Sequence, residues 1–153
     1  MSTTFSTFSL HPFLLEALKT EKITSPTQIQ LDAIPVILKG KDVIGQSQTG
    51  TGKTFAYLLP TLHKLNADVK DLQAVVLAPT RELCMQIYQQ INKLTSASEL
   101  TAIALIGGAD SKRQIEKLKT KPHIIVGTPG RILELNKLKK VKLHGVKTIV
   151  VDE

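Results

Sequence analysis

Aromatic side chains are scarce in this sequence. They make up 4% of the 153 residues, and tryptophan is absent. Proteins that hold single-stranded nucleic acid by stacking its bases need several such rings. If the partner is a nucleic acid, we therefore expect contacts to its backbone phosphates rather than to its bases.

Cysteine is nearly absent as well. The single cysteine, Cys84, cannot form an internal disulfide, which favours a reducing compartment. It lies in a stretch with helical apolar spacing, so we expect it to pack in the core rather than to react.

Long apolar runs are also missing. No stretch approaches the length that spans a bilayer, and no basic segment followed by an apolar run marks a secretion signal at the N-terminus. The sequence therefore predicts a cytoplasmic protein without a membrane-spanning segment.

The chain does contain enough apolar residues for a core and an excess of positive charge. Hydrophobic residues make up 42% of it, which excludes a disordered chain. There are 20 Lys and Arg against 13 Asp and Glu, a net charge of +7. Such a balance favours an anionic partner: nucleic acid, a nucleotide or an acidic membrane surface. The lysines at 137, 139, 140, 142 and 147 are interpreted as a solvated face.

Short apolar runs alternate with amphipathic stretches along the chain. The runs are rich in valine and isoleucine and apolar at consecutive positions, as in strands buried on both faces of a parallel sheet. Ser111 and Gln114 have capping-box spacing. The alternation predicts an α/β fold, a three-layer α/β/α sandwich with a mostly parallel sheet. Predicted strands are 42–45, 74–78, 101–107, 123–127 and 148–153, and predicted helices are 12–20, 27–39, 81–95 and 111–120.

The segment SQTGTGKT, residues 47–54, follows the first predicted strand and precedes a helix. Gly50 and Gly52 allow the backbone to curl so that several N–H groups point inward. With the helix N-terminus, these donors form a nest for phosphate oxygens. Lys53 would reach the β- and γ-phosphates of a nucleotide, and Thr54 offers a hydroxyl ligand to Mg²⁺.

Two carboxylates, Asp152 and Glu153, end the last predicted strand. At the carboxyl end of a buried strand they would lie beside the phosphate loop. Asp152 would hold the metal through its water, and Glu153 would polarise the attacking water. Together with Lys53 and Thr54 they suit the hydrolysis of a nucleoside triphosphate.

Residues 47–54 resemble motif I of the DEAD-box RNA helicases, a family with a small residue where Ser47 stands. Other segments resemble the family's motifs in the family's order, and IGQSQTGTGKT and IGGADSKRQ are similar to a bacterial cold-shock branch. The resemblance covers essentially the whole chain. The matching segments are SPTQIQ (25–30, Q motif), PTREL (79–83, motif Ia), Gly107-Gly108 (the GG element), TPGR (128–131, motif Ib) and VDE (151–153, the start of motif II).

The resemblance implies an ATP-dependent RNA helicase that uses ATP and Mg²⁺. Residues 1–39 would be the Q-motif region with N-terminal helices. Residues 40–153 would form a RecA-like ATP-binding domain, incomplete at its C-terminal end, and the two parts one structural domain. A second RecA-like domain would be the partner that closes on RNA. The piece alone is expected to lack unwinding activity and efficient ATP turnover.

Nucleotide contacts are carried over by position. The Gln30 amide can donate and accept at once, which suits the N6 and N7 edge of adenine, and Phe5 would stack on that base. Lys22-Ile23 stand where the family usually has Gly-Phe, and Gln28 where it has Pro. The implied nucleotide-binding residues are Phe5, Thr27, Gln30, Gln48, Thr49, Gly50, Thr51, Gly52, Lys53 and Thr54.

RNA contacts are implied at three further motifs. A threonine that caps a helix, a proline in its first turn and bare glycine backbone are expected to expose N–H groups, and an arginine adds charge. Such places would grip phosphate and sugar along one strand with little sequence specificity. The implied residues are Pro79, Thr80, Arg81, Gly107, Gly108, Thr128, Pro129, Gly130 and Arg131.

Two alternatives stay open: a DNA helicase of the same superfamily, and a non-enzymatic piece that binds nucleotide. The sequence stops inside motif II, and by analogy the next strand of the family flanks the strand before the phosphate loop. Without that neighbour, the 42–45 strand is expected to be an unpaired apolar edge.

Overall fold

The computed structural model describes residues 4–48, 50–108 and 111–153. The chain divides into two compact units, which are described separately. The N-terminal unit contains the residues up to Lys64 together with Lys93–Ser98, and the sheet unit contains Leu65–Asn92 and Glu99–Glu153. The division predicted from the sequence, 1–39 and 40–153 within one domain, stays a prediction.

The N-terminal unit is helical. A short 3₁₀ helix, Phe5–Phe8, precedes three α-helices: α1 (Pro12–Thr20), α2 (Gln28–Leu38) and α3 (Lys53–Lys64). Helix α2 packs against α3, and Lys64 Nζ donates to the Ile37 carbonyl at 2.8 Å near the end of α2. The helices predicted at 12–20 and 27–39 are thereby confirmed, with a one-residue difference at each end of the second.

Residues in left-handed backbone conformation end both of the first two helices. Lys22 has φ 59° after α1, and Gly40 has φ 81° after α2. Behind α1, the Ile23 N–H donates to the Leu18 carbonyl at 2.9 Å, which satisfies one of the last helical acceptors. Glycine adopts this conformation without strain, whereas a lysine there costs free energy.

The described residues of the sheet unit form four strands and three helices. The strands are β1 (Ala74–Leu77), β2 (Ala102–Leu105), β3 (Ile124–Gly127) and β4 (Thr148–Val151). They lie in the order β2–β3–β1–β4 and every neighbouring pair is parallel. The helices are α4 (Arg81–Thr95, whose last residues belong to the N-terminal unit), α5 (Ser111–Leu118) and α6 (Pro129–Lys137).

The core of the sheet unit lies around its central strands and helix α6. Strand β3 is buried at all four positions, as its continuous apolar sequence predicts. Helix α6 covers one face, because Ile132 and Leu135 pack with strand residues in a single apolar cluster. Its other members are Val75, Ile103, Leu105, Ile125 and Val141. Four of the five predicted strands are therefore confirmed, each with slightly shorter bounds.

The strand predicted at 42–45 is wrong. No strand forms there, and Val43 and Ile44 are 39% and 101% exposed. A strand exists only when a neighbour accepts its hydrogen bonds, and none of the described strands pairs with this segment. The apolar sheet edge is β4 instead: it pairs on one side with β1, and Ile149 and Val151 are 66% and 68% exposed.

None of the described helices is long and apolar enough to cross a membrane. Cys84 lies within α4 and is fully buried, as expected. Its burial raises the pKa of the thiol, so the reactive thiolate is disfavoured.

Candidate functional site

The glycine loop leads directly into α3. Gly50 has φ 84° and Gly52 has φ 90°, so both take the left-handed conformation that their sequence position suggested. Lys53 is the first residue of α3 and Thr54 the second. The N–H groups of this first turn have no partner within the helix, which gives the loop the donors that an anion needs.

Ser47 and Thr51 close the loop by side-chain hydrogen bonds. The Thr51 hydroxyl donates to the Gln48 carbonyl at 2.6 Å, and Ser47 Oγ lies 2.6 Å from Thr51 Oγ1. A hydroxyl has one proton, so Ser47 is the donor in the second bond. Ser47 therefore contributes a hydrogen bond within the loop at the position where other phosphate loops have glycine. The Thr49 assignment falls outside the described residues.

Gln30 connects the Q-motif segment to this loop. Its Nε2 donates to the Gly52 carbonyl at 3.0 Å, and its Oε1 accepts the Thr27 N–H at 2.9 Å. The second bond belongs to a capping box at the start of α2. Gln30 is only 3% exposed. The residue predicted to recognise adenine thus also fixes the backbone of the phosphate loop.

Gly52 is in close contact with the same two side chains. A Cβ at this position would lie 2.5 Å from Gln30 Nε2 and 2.9 Å from Thr27 Oγ1. A Cβ at Gly50 would meet nothing within 4 Å. Position 52 therefore requires glycine for two reasons, its left-handed backbone and the lack of space for a Cβ. Position 50 requires glycine for its left-handed backbone alone.

Phe5 is ordered and buried in the 3₁₀ helix. It is 4% exposed, and its ring centroid lies 6.2 Å from that of Phe8. Its stacking on a base stays a prediction.

The other predicted residues follow the four strands of the sheet unit. Pro79, Thr80 and Arg81 come after β1, the two glycines after β2, Thr128 to Arg131 after β3, and Asp152 with Glu153 after β4. Parallel strands end at one edge of a sheet, so the structure brings these segments to the same edge, in the order GG, TPGR, PTR, DE. The proximity of Asp152 and Glu153 to the phosphate loop stays a prediction.

Arg81 and the GG element are in direct contact. Arg81 Nη1 donates to the Gly107 carbonyl at 3.2 Å, although β3 lies between β1 and β2 in the sheet. Gly108 has φ 77°, and a Cβ there would collide with Arg81 Nη1. Thr80 Oγ1 accepts the Leu83 N–H at 3.1 Å and so caps α4.

Arg131 is buried and contacts three neighbouring side chains with its guanidinium. It is 7% exposed. Its Nε donates to Gln114 Oε1 at 3.2 Å, its Nη2 donates to Ser111 Oγ at 2.9 Å, and its Nη1 forms an ion pair with Glu134 at 3.1 Å. The guanidinium therefore clamps the start of α5 to α6, and the predicted phosphate contact stays a prediction.

The capping box predicted at Ser111 and Gln114 is wrong. Helix α5 begins at Ser111, so this residue lies inside the helix rather than in the cap position. The Gln114 amide donates to the Ile106 carbonyl at 2.8 Å and accepts from Arg131. Gln114 lies one helical turn before the apolar Leu118, and this spacing was the available signal that its amide would be buried against a partner.

The N-terminus of α6 stands at the same edge. Thr128 occupies the N-cap position, but its side chain makes no capping hydrogen bond. Pro129 fills the first turn, and a Cβ at Gly130 would meet nothing within 4 Å. This helix end is therefore open to a ligand.

Metal ligation by side chains is sparse. Among the described residues, no group of three or more His, Cys, Asp or Glu is arranged to hold a metal ion. A magnesium ion bound through phosphate oxygens, water and one or two side chains does not need such a cluster. The donor set predicted from the sequence, Thr54 and Asp152, has the hard oxygen chemistry that Mg²⁺ prefers.

One family model matches most of the chain, from the Q-motif segment to the end of the sheet unit. Residues 27–153 match the model of the DEAD/DEAH box helicases. The chain belongs to this family. The DEAD-box ATP-dependent RNA helicase CshC of Bacillus cereus is 59% identical over 144 residues, which are 94% of this chain and 37% of that protein. CshB of the same species is 52% identical over 154 residues, covering 98% of the chain and 35% of that protein.

Solved structures agree with the fold. Saccharomyces cerevisiae Dbp5 bound to RNA and ADP BeF3 superimposes with a TM-score of 0.91 at 34% identity, over 99% of this chain and 38% of that one. A DEAD box protein from Methanococcus jannaschii gives 0.90 at 32% identity, over 98% and 41%. The predicted α/β/α fold of the RecA-like type is confirmed. The chain spans little more than a third of the length of its curated relatives.

Proposed function

We propose that this chain is the N-terminal ATP- and RNA-binding domain of a DEAD-box ATP-dependent RNA helicase. In the whole protein, a second RecA-like domain closes on RNA, and ATP hydrolysis is coupled to local unwinding of a duplex. The observation that carries the proposal is the glycine loop in its left-handed conformation, held by Gln30 and opening directly onto Lys53.

The chain's own residues would bind the triphosphate. Main-chain N–H groups of the loop surround the phosphates, and Lys53 neutralises their charge. Thr54 and Asp152 would hold Mg²⁺, which, when bound, withdraws charge from the phosphate oxygens. Glu153 would orient the attacking water and accept its proton.

Gln30 retains the hydrogen-bonding capacity that adenine needs. A glutamine amide has two N–H donors and two acceptor lone pairs. One donor is used by the Gly52 carbonyl and one lone pair by the Thr27 N–H. The remaining donor and acceptor match N7 and N6 of adenine. Base recognition and loop geometry would thus be linked through one side chain.

RNA would lie along the carboxyl edge of the sheet. Arg81, the GG turn and the open end of α6 present charge and backbone donors there. These groups suit phosphate and sugar, so binding should be strong and weakly dependent on sequence. Arg131 would add a phosphate contact through the N–H donors that it does not use on α5 and Glu134.

Two measurements test the proposal. Lys53→Ala should reduce ATP binding by at least tenfold by calorimetry, while exposed Lys39→Ala should not; equal affinities would contradict the phosphate-loop assignment. ATPase stimulation by RNA against DNA of equal sequence decides between the RNA helicase and the DNA helicase, because only RNA offers the 2′-hydroxyl. Binding of nucleotide without stimulated hydrolysis by the whole helicase would favour the non-enzymatic alternative.

A further inference from the structure

A second concave site lies at the opposite edge of the sheet unit. It is a cleft of about 540 Å³, and its walls come from segments just before β1, β3 and β4, from the C-terminal half of α5 and from residues 139–142, which follow α6. Parallel strands begin at this edge, so the cleft is separated from the motif-bearing edge by the length of the sheet. We call it the amino-edge cleft.

The rim of the amino-edge cleft is strongly basic. Six lysines and His144 line it against a single carboxylate, Asp71. Lys119 pairs with Glu116 at 3.0 Å, and among the described residues the other five rim lysines have no ion-pair partner. These lysines come from three separate stretches of the sequence, so only folding gathers them. They are Lys70, Lys119, Lys121, Lys139, Lys140 and Lys142.

Two of the rim lysines occupy backbone positions that suit glycine better. Lys121 has φ 57° and Lys139 has φ 60°. Lysine in the left-handed region is strained, and glycine is not. Both residues nevertheless line the cleft. Lys22, with φ 59°, has the same conformation in the N-terminal unit and does not line the cleft.

The floor of the cleft is apolar. Leu72, Ile115, Leu118 and Val141 line it, and no aromatic residue does. Among the lining residues, bases could stack only on the imidazole of His144 at the rim, whereas a groove that holds single-stranded nucleic acid usually offers several rings. A concave apolar floor inside a charged rim instead suits one or two aliphatic side chains flanked by carboxylates.

We propose that the amino-edge cleft binds an acidic segment of a partner protein, with an apolar side chain in the floor and carboxylates against the rim lysines. The charge complementarity and the apolar floor select this occupant over RNA. Because the cleft lies at the other edge of the sheet, the partner and the ligands of the motif edge can bind at the same time. This inference does not depend on the proposed function.

Fluorescence anisotropy tests the proposal with a labelled ten-residue peptide in which glutamates flank two leucines. The Lys121→Gly, Lys139→Gly double variant should bind it about tenfold more weakly, at about threefold for each lysine, and Asp71→Asn should bind it about threefold more tightly. Lys22→Gly is the matched control, since it makes the same exchange in the same conformation at a residue that does not line the cleft. Thermal unfolding should show no loss of stability in any glycine variant.

The floor is tested by changing the peptide rather than the protein. Replacing both leucines by serine should weaken binding at least tenfold. If the leucine and serine peptides bind equally well, an apolar side chain does not occupy the floor. If the leucine peptide binds the double variant as well as it binds the unaltered protein, the rim lysines do not contribute to binding. Absence of binding at about 1 mM peptide would also overturn the proposal. A single-stranded RNA that loses affinity for the double variant while the peptide does not would assign the cleft to nucleic acid.

Discussion

Replacing Gly52 by alanine should damage the glycine loop more than replacing Gly50. Both residues are left-handed, so a Cβ costs each about 1–2 kcal/mol of conformational strain. Only at Gly52 does the Cβ also meet side chains, at 2.5 Å from Gln30 Nε2 and 2.9 Å from Thr27 Oγ1. Gln30 would have to withdraw from a nearly buried position.

The additional cost can be worked out from the hydrogen bonds of Gln30. When its amide withdraws, the Gly52 carbonyl and the Thr27 N–H lose their partner. Each of these part-buried hydrogen bonds stabilises the fold by about 0.5–1.5 kcal/mol, so losing both costs about 1–3 kcal/mol. We therefore expect Gly52→Ala to lower the free energy of unfolding by about 2–5 kcal/mol, and Gly50→Ala by about 1–2 kcal/mol.

Urea unfolding followed by circular dichroism measures both variants. A double-mutant cycle isolates the contact between a Cβ at position 52 and the Gln30 amide. Gln30→Ala removes the amide, so Gly52→Ala should lower the free energy of unfolding by at least about 1 kcal/mol less in the Gln30→Ala variant than in the unaltered chain. Equal destabilisation by the two glycine variants, or strict additivity in the cycle, would refute the close-contact argument.

Three further predictions concern stability. Thr61 Oγ1 is buried without a hydrogen-bond partner among the described residues, so Thr61→Val should raise the free energy of unfolding by about 1 kcal/mol in urea, and Thr61→Ser should not. Burial lowers the pKa of His63 from its usual 6.5, and the nearby charges of His11 and Lys64 lower it further. His63 Nδ1 accepts a hydrogen bond from the main-chain N–H of His11 at 3.1 Å. As the pH falls, His63 takes up its proton in the unfolded chain before it does so in the folded protein. The stability that neutral His63 contributes above about pH 6.5 should therefore be lost as the pH falls through the pKa of His63 in the folded protein. His63→Asn should flatten the dependence of the free energy of unfolding on pH between about pH 7.5 and 5, and an unchanged dependence would contradict this. Arg131→Ala should destabilise the fold by about 2–4 kcal/mol in urea, because it removes the donor to the Oε1 of the nearly buried Gln114 and leaves Glu134 without its ion pair; full stability with weakened RNA binding would instead support direct phosphate contact.

The secondary structure was largely predictable because local patterns decide it. Strand β3 is apolar at every position and is buried at every position. The helix predicted at 81–95 has the same bounds as α4. The exception is 42–45, which has the apolar sequence of a strand and forms none. A helix makes its hydrogen bonds within itself, whereas a strand depends on a neighbour that its own sequence does not name.

The candidate site was predictable as a set of residues but not as a set of contacts. The spacing of Gly50, Gly52 and Lys53 indicated a phosphate loop, and the backbone has the conformation expected. Nothing in that spacing indicated that Gln30 would bond to the Gly52 carbonyl, or that Arg131 would turn to Gln114. Long polar side chains reach many partners, and packing selects among them.

The sequence by itself determined the order of β1 to β4 and of the helices between them, the glycine loop and the excess of positive charge, because each depends on neighbouring residues or on composition. Tertiary structure alone decided which strands pair, which donors are already engaged, and that lysines from distant segments surround one apolar cleft. These outcomes depend on contacts between residues far apart in the chain, which local preference and periodicity do not encode.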